Sequence, residues 1–197
     1  MLLYNSQVSG NCYKVRLLFA HLGIEYERRE LDVIDRSNRP EVLGDLNPAL
    51  RVPTLVLDDG RALAESNAIL NYFAEGTEYL PEDRFERAQV LQWQFFEQYE
   101  VEPNIAVARF WRIAGIEPSS ESLDTKTRGG EVALKTIDSR LTDHPFLVGD
   151  RYTIADISIY GYVHVAPEGG FELEPYPAIN AWLARVQTRP GHIPIDA

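Results

Sequence analysis

The stretch "LRVPTLVLDDGRALAESNAI", residues 50–69, decides how the first part of the chain is read. Thr54 to Leu57 form a short apolar strand, Asp58-Asp59-Gly60 turns it, and Arg61 to Ala64 return as its partner. "SNAILNYFAEG" then reads as a helix, with Ser66 or Asn67 as its cap and Gly76 as its stop. The proline sits at the first rung of the strand, where a missing amide hydrogen is tolerated at a sheet edge. A cis Val52-Pro53 bond would turn the Val52 backbone outward, but cis is found at only about 5–6% of X-Pro bonds. The residues by themselves therefore favour a plain edge-strand proline.

Working back from this hairpin, "MLLYN" is an apolar strand, and "CYKVRLLFAHLG" follows as a helix on Val15, Leu18, Phe19 and Leu22, stopped by Gly23. "IEYERREL" alternates as a half-exposed strand with Ile24, Tyr26 and Leu31 inward, and a short helix is expected within Asp35–Leu46. The order β-α-β-α-β-β-α gives an α/β domain over 1–76, with a right-handed parallel crossover first and antiparallel strands last. Residues 77–83, "TEYLPED", form a turn-rich linker, and the period beyond them shifts from two to 3.6. "RFERAQVLQWQFFEQYEVEPNIAVARFW" predicts a long helix bent near Pro103. Leu123–Leu141 predicts another, weakened at Gly129-Gly130 by about 1 kcal/mol per glycine. In "YTIADISIYGYVHVA", Thr153 and Asp156 form a capping box, and "PAINAWLARVQTRP" closes the set, making 84–197 an all-helical domain.

The 197 residues carry a formal charge of -11, which argues against non-specific binding to nucleic acid or anionic membrane. Lys14, Arg16, Arg28, Arg29, Arg36, Arg39 and Arg51 nevertheless all lie early in the chain, leaving room for a small anionic ligand. No apolar run is long enough to span a membrane and no basic leader opens the chain. One cysteine and four histidines without ligand spacing point to no disulfide, no metal and a reducing cytoplasm.

Three segments in order, "SGNCYKVRLLFAHLGIEYE", "NPALRVPTLVLDDGRALAESNAILNYF" and "FLVGDRYTIADISIYG", resemble the soluble glutathione transferases over essentially the whole chain. The resemblance implies a thioredoxin-like domain with a mixed four-stranded sheet, a helical-bundle C-terminal domain, glutathione as cosubstrate and a homodimer. It also implies a cis Val52-Pro53 bond, whose exposed backbone pairs with the cysteinyl unit of glutathione like one more strand rung.

By the same resemblance, Ser66 at a helix N-terminus holds the γ-glutamyl carboxylate and Glu65 takes the ligand's ammonium. Arg51 either meets the glycyl carboxylate or simply faces solvent. Asn47 is expected to support the turn before Pro48. Ser9 matches a catalytic serine position and Asn11 an asparagine of a disulfide-reducing branch, either able to donate a hydrogen bond that stabilises a thiolate. Tyr4, inside its strand, is read as packing, and Cys12 as a buried small hydrophobe.

Tyr99, Asn104, Phe110 and Trp111 are the candidates for an aromatic-lined substrate pocket between the domains, with about half of them expected in the core. Tyr160 and His164 are read as core or surface. Asp156 is assigned to folding and not to catalysis. Little follows "RPGHIPIDA", so any C-terminal lid is expected to be minimal. The function expected is activation of the glutathione thiol for attack on a small hydrophobic electrophile. A glutathione-dependent disulfide oxidoreductase or peroxidase is one alternative, and a non-enzymatic interaction module of the same fold is another. Maleylacetoacetate-type isomerisation is disfavoured, because "SGNC" has one serine where that branch has a paired serine and cysteine.

Overall fold

In the computed structural model, which describes residues 1–197, the chain divides into Met1–Glu75 with Pro190–Ala197, and Gly76–Arg189. The first unit runs β1 (Leu2–Asn5), α1 (Gly10–Leu22), β2 (Glu27–Glu30), α2 (Arg39–Leu43), β3 (Thr54–Val56), β4 (Ala62–Ala64) and α3 (Ser66–Ala74). Its sheet order is β2-β1-β3-β4, with β2 parallel to β1 and the other two neighbours antiparallel.

Alternation along the strands sends successive side chains to opposite faces. Leu3 and Leu55, paired in register, pack with Val15 and Phe19 of α1 and Ile69 of α3. Their neighbours Tyr4 and Val56 face the other way, onto a second cluster with Leu31 and with Leu43 of α2. The sheet thus lies between α1 and α3 on one side and α2 on the other.

β2 is shorter than its alternation suggests: only Glu27–Glu30 pair, and all four are exposed. A charged strand at the sheet edge discourages pairing with another chain. Ile24 and Tyr26, expected on that strand, instead pack against the α1 side from the preceding loop. The helix expected within Asp35–Leu46 is the five-residue α2.

The second unit is helical. α4 (Arg84–Phe96) opens on Asp83, whose side chain accepts from the Phe85 and Glu86 amides. It widens into a π-helical stretch, Glu97–Ala106, and narrows again as α5 (Val107–Ile113). Pro103 lies in the wide stretch, so the bend expected there takes the form of a change of helical pitch, a recognised way to accommodate a residue without an N–H. α6 (Ser120–Thr142), α7 (Ile154–Val163), a 3₁₀ turn (Ala166–Gly169) and α8 (Pro177–Gln187) follow.

Gly129 and Gly130, which looked like weak points in α6, are places of close approach. A Cβ on Gly129 would stand 2.5 Å from the Asn104 side chain, and one on Gly130 would stand 2.2 Å from the Phe171 ring. α6 also serves α8, whose Ile179 amide donates to Asp138 Oδ1 at 3.0 Å.

The last eight residues do not belong with the helical unit, contrary to the expected 84–197 domain, and Gly76 and the 77–83 connector do. Tyr13 of α1 donates to the Ile193 carbonyl at 2.7 Å, and Arg16 donates to the Ile195 carbonyl at 2.5 Å. Both α1 residues are buried, and the tail supplies acceptors to them, the Arg16 guanidinium also reaching Asn5 Oδ1 at 2.8 Å and the Gln7 carbonyl at 3.1 Å.

Candidate functional site

Ser9 is the N-cap of α1, in extended conformation, and its Oγ accepts from the Cys12 amide at 3.3 Å. Accepting that bond leaves the hydroxyl hydrogen as a donor. Cys12 is wholly buried, its Sγ accepting from the Ser6 amide at 3.3 Å. Burial pushes its thiol up to about 11, opposed by hydrogen bonds from Ser9 and Ser6 and by the nearby Arg16, so Cys12 carries its proton at neutral pH. It is a core thiol, as expected.

Asn11, on the first turn of α1, is tied to two partners through one atom. Its Oδ1 accepts from Lys14 Nζ at 2.8 Å and from the Ser66 hydroxyl at 3.2 Å. The second bond joins the N-terminal turns of α1 and α3.

α3 does not start as expected. Its N-cap is Glu65, not Ser66 or Asn67, and that cap makes no side-chain hydrogen bond. Glu65 is exposed and has φ +66°, a left-handed conformation uncommon for a residue with a Cβ. Such an outlier is a pointer to function, since the surrounding structure must hold it in place.

The loop with Pro53 leads into β3, whose Thr54 pairs with Tyr4 of β1 and with Ala64 of β4, two residues before α3. The Val52-Pro53 bond is cis, as the resemblance implied and against the plain edge-proline reading. Neither the N–H nor the C=O of Val52 enters the backbone hydrogen bonds of the loop. The loop is held from below by Asn47, which is buried and donates to the Arg51 carbonyl at 3.1 Å and to Thr54 Oγ1 at 3.0 Å. Asn47 Oδ1 accepts from the Ala49 amide at 3.0 Å, the turn support read from the sequence. Arg39 adds a second brace, donating to the Leu50 carbonyl at 2.9 Å and the Asp32 carbonyl at 2.8 Å.

The basic residues gathered early in the sequence do not form one pocket. Arg16 is buried on the C-terminal tail, Arg28 reaches the Ala197 carbonyl, Arg29 lies over the Tyr4 ring, and Arg39 is taken up by backbone carbonyls. Arg51 is exposed beside Val52. Tyr4 packs, as expected.

In the helical unit the four pocket candidates separate. Asn104 donates to the Glu100 carbonyl at 2.7 Å and fits against Gly129. Tyr99 is 77% exposed, in a stripe with Leu91 (44%) and Phe95 (62%) at four-residue spacing. Phe110 and Trp111 on α5 are half-buried. His164 stacks on Tyr160, both within α7's surroundings. Lys14, the second brace from Arg39 and the return of the tail were missed. In the sequence Lys14 and Arg39 register only as early basic residues, and Lys14 leaves a further trace as a lysine amid the apolar "CYKVRLLF".

No group of three or more His, Cys, Asp or Glu side chains is placed to hold a metal ion, and no helix is long and apolar enough to cross a membrane.

A β-α-β-α-β-β-α domain with a cis-proline loop beside two converging helix N-termini, followed by a helical bundle, is a thioredoxin-type architecture. The glutathione S-transferase N-terminal domain model matches residues 8–75 and the C-terminal domain model matches residues 93–190. A crystal structure of a glutathione S-transferase from Pseudomonas fluorescens is 46% identical, covers 98% of both chains and superposes with a TM-score of 0.94. The glutathione S-transferase-like protein LUC7 of a Fusarium species is 30% identical across 93% of this chain and 86% of its own. The disulfide-bond oxidoreductase YfcG of Escherichia coli is 28% identical across 92% of this chain and 87% of its own. The chain belongs to the glutathione S-transferase family.

Proposed function

We propose that this chain binds glutathione and activates its thiol for attack on a small hydrophobic electrophile. The observation that carries the proposal is the 3.2 Å Ser66–Asn11 hydrogen bond, which brings two helix N-termini together beside the cis-proline loop. Helix N-termini favour anions through their unpaired N–H groups and the helix dipole. Glutathione presents three anionic groups, the γ-glutamyl and glycyl carboxylates and, once activated, a thiolate.

In this reading the γ-glutamyl carboxylate sits on the opening turn of α3, and Glu65 receives the ammonium. The Val52 N–H and C=O pair with the cysteinyl backbone, and Arg51 meets the glycyl carboxylate. Ser9 donates its hydroxyl hydrogen to the sulfur, with Asn11 as a second donor. Each stabilises the thiolate more than the thiol and so lowers the thiol pKa, about 1.4 kcal/mol for every unit. The rest of the rate comes from holding the sulfur in line with its target. A homodimer is the proposed assembly, supported by the exposed Leu91, Phe95 and Tyr99 stripe; light scattering reading a monomer would remove it.

A second reading, glutathione-dependent disulfide reduction, is favoured by Asn11 and by the likeness to YfcG. Buried Cys12 supplies no attacking thiolate, so the chemistry would need two glutathiones. The first thiolate attacks a disulfide, forming a mixed disulfide and releasing one thiolate. The second attacks that mixed disulfide, forming oxidised glutathione and releasing the other. The test is a thiolate absorbance titration of bound glutathione in wild type, Ser9→Ala and Asn11→Ala, followed by parallel turnover with an aryl halide and with a mixed disulfide. A bound thiol that titrates as it does in free solution would overturn both readings.

A further inference from the structure

Lys14 is wholly buried, yet it lies on α1 one turn beyond Asn11 and places Nζ 2.8 Å from Asn11 Oδ1. Taking a lysine out of water is costly, and an apolar side chain at this core position would avoid that penalty. A cation at this position can do what an apolar residue could not.

The chemistry of the three groups fixes the orientation of Asn11. A lysine ammonium has donors and no acceptor, so only the oxygen of the carboxamide can face it. Ser66 directs its hydroxyl hydrogen to the same oxygen. With two donors on Oδ1, the amide NH₂ is turned to the opposite edge. A cation on the oxygen also polarises the carboxamide, drawing electron density from the nitrogen and making its hydrogens stronger donors; hydrogen-bonded chains in a low-dielectric interior strengthen one another in this way.

We propose that Lys14 is a positioning residue for the thiolate: its buried charge, passed through the Asn11 carboxamide, fixes and strengthens the N–H donor that Asn11 offers to the glutathione sulfur. This rests on the glutathione reading above. Lys14 touches neither the thiol nor its target. It acts on the acidity of the thiol and not on the grip on the tripeptide.

The test is the pH titration of thiolate absorbance for glutathione bound to wild type, Lys14→Met, Lys14→Arg, Asn11→Ala and Lys14→Met/Asn11→Ala, with glutathione affinity measured by calorimetry in parallel. Lys14→Met is expected to raise the bound thiol pKa by about one unit, a tenfold fall in its acid dissociation constant. Its glutathione Kd should stay within about threefold of wild type, a change of under about 0.7 kcal/mol. Lys14→Arg should restore most of the effect, and the double variant should be no worse than Asn11→Ala. If Lys14→Met does not fold, Lys14→Gln keeps a donor without the charge and should raise the thiol pKa in the same direction. A wild-type thiol pKa in a folded, glutathione-binding Lys14→Met or Lys14→Gln variant would overturn the role of Lys14 alone. So would a double variant in which the two effects add in full. Failure of the wild type itself to bind glutathione or acidify its thiol is a different result, which removes the functional reading and this inference together.

Discussion

α7 and α3 begin in opposite ways. At α7 the donors around the first turn are answered by protein groups: Thr153 Oγ1 accepts from the Ala155 amide, the Tyr79 carbonyl accepts from the Ile154 amide, and Asp156 accepts from the Thr153 amide, the Leu147 amide and Trp182 Nε1. At α3 the cap is an exposed glutamate in a left-handed conformation, with no side-chain bond to the opening turn. A helix start closed by its own side chains serves the fold. One left open, and held in a strained conformation, is suited to receive a ligand. α1 falls between the two, since Ser9 caps the helix and still keeps a hydrogen to give.

The strongest way to break this contrast is Asp156→Ala. It would leave four buried donors unanswered, two backbone amides, the Thr153 hydroxyl and the Trp182 indole. Urea denaturation should show a loss of about 3–5 kcal/mol, the range for breaking a buried polar network. The thiol pKa of bound glutathione should not change; a shift would mean that α7 is not a purely structural helix start.

Acidity gives the next largest effect. Burial lifts the Asp156 carboxyl from its ordinary 3.8 to about 6, against the pull of its four hydrogen bonds. The folded chain therefore holds this proton more tightly than the unfolded chain does. Between pH 3.8 and about 6 the folded state carries more protons, so this group's contribution to stability falls as pH rises and is level above that window. The span is on the order of 3 kcal/mol from linkage. Denaturation midpoints measured across that range in wild type and in Asp156→Asn should differ in slope by this amount. Equal slopes would mean the carboxylate is as acidic folded as unfolded.

Ser9→Ala should act on both sides of the comparison. Loss of the cap should lower stability by about 1 kcal/mol. Loss of the donor should raise the bound thiol pKa by roughly one unit, or about 1.4 kcal/mol. A stability loss without the thiol shift would leave Ser9 as a cap and pass thiol activation to Asn11.

The smallest effect on stability is expected at Glu65→Gly. Glycine adopts φ +66° without the Cβ penalty, so stability should hold or rise by up to about 1 kcal/mol. Glutathione affinity should fall at least tenfold as the ammonium loses its carboxylate. If stability drops sharply instead, Glu65 is there for the fold and the open-helix interpretation of α3 fails.

The features legible in the sequence have their physical cause close along the chain. The Thr153–Asp156 box, the Asn47 turn, the stop at Gly23 and the hairpin around Gly60 are each made by residues within about four positions of one another. The position of Pro53 was legible, but its isomer was not: the residues favoured trans, and only the family resemblance pointed to cis. Gly129 was misjudged because its partner, Asn104, lies on another helix. A glycine looks like a weakness until the neighbour it admits is known.

The sequence alone determined the two-part architecture, the order of its main elements and the start of α7, and its family resemblance singled out Ser9, Val52, Pro53, Glu65 and Ser66 as residues to watch. Tertiary structure decided that Asn11 meets Ser66 across 55 positions, that Lys14 is buried against Asn11, and that Arg16 serves a tail 179 positions away. The reason is the range of the forces. Backbone propensity and capping act between neighbours and can be read from spacing, whereas burial makes partners of groups that only the packed chain brings within hydrogen-bonding distance.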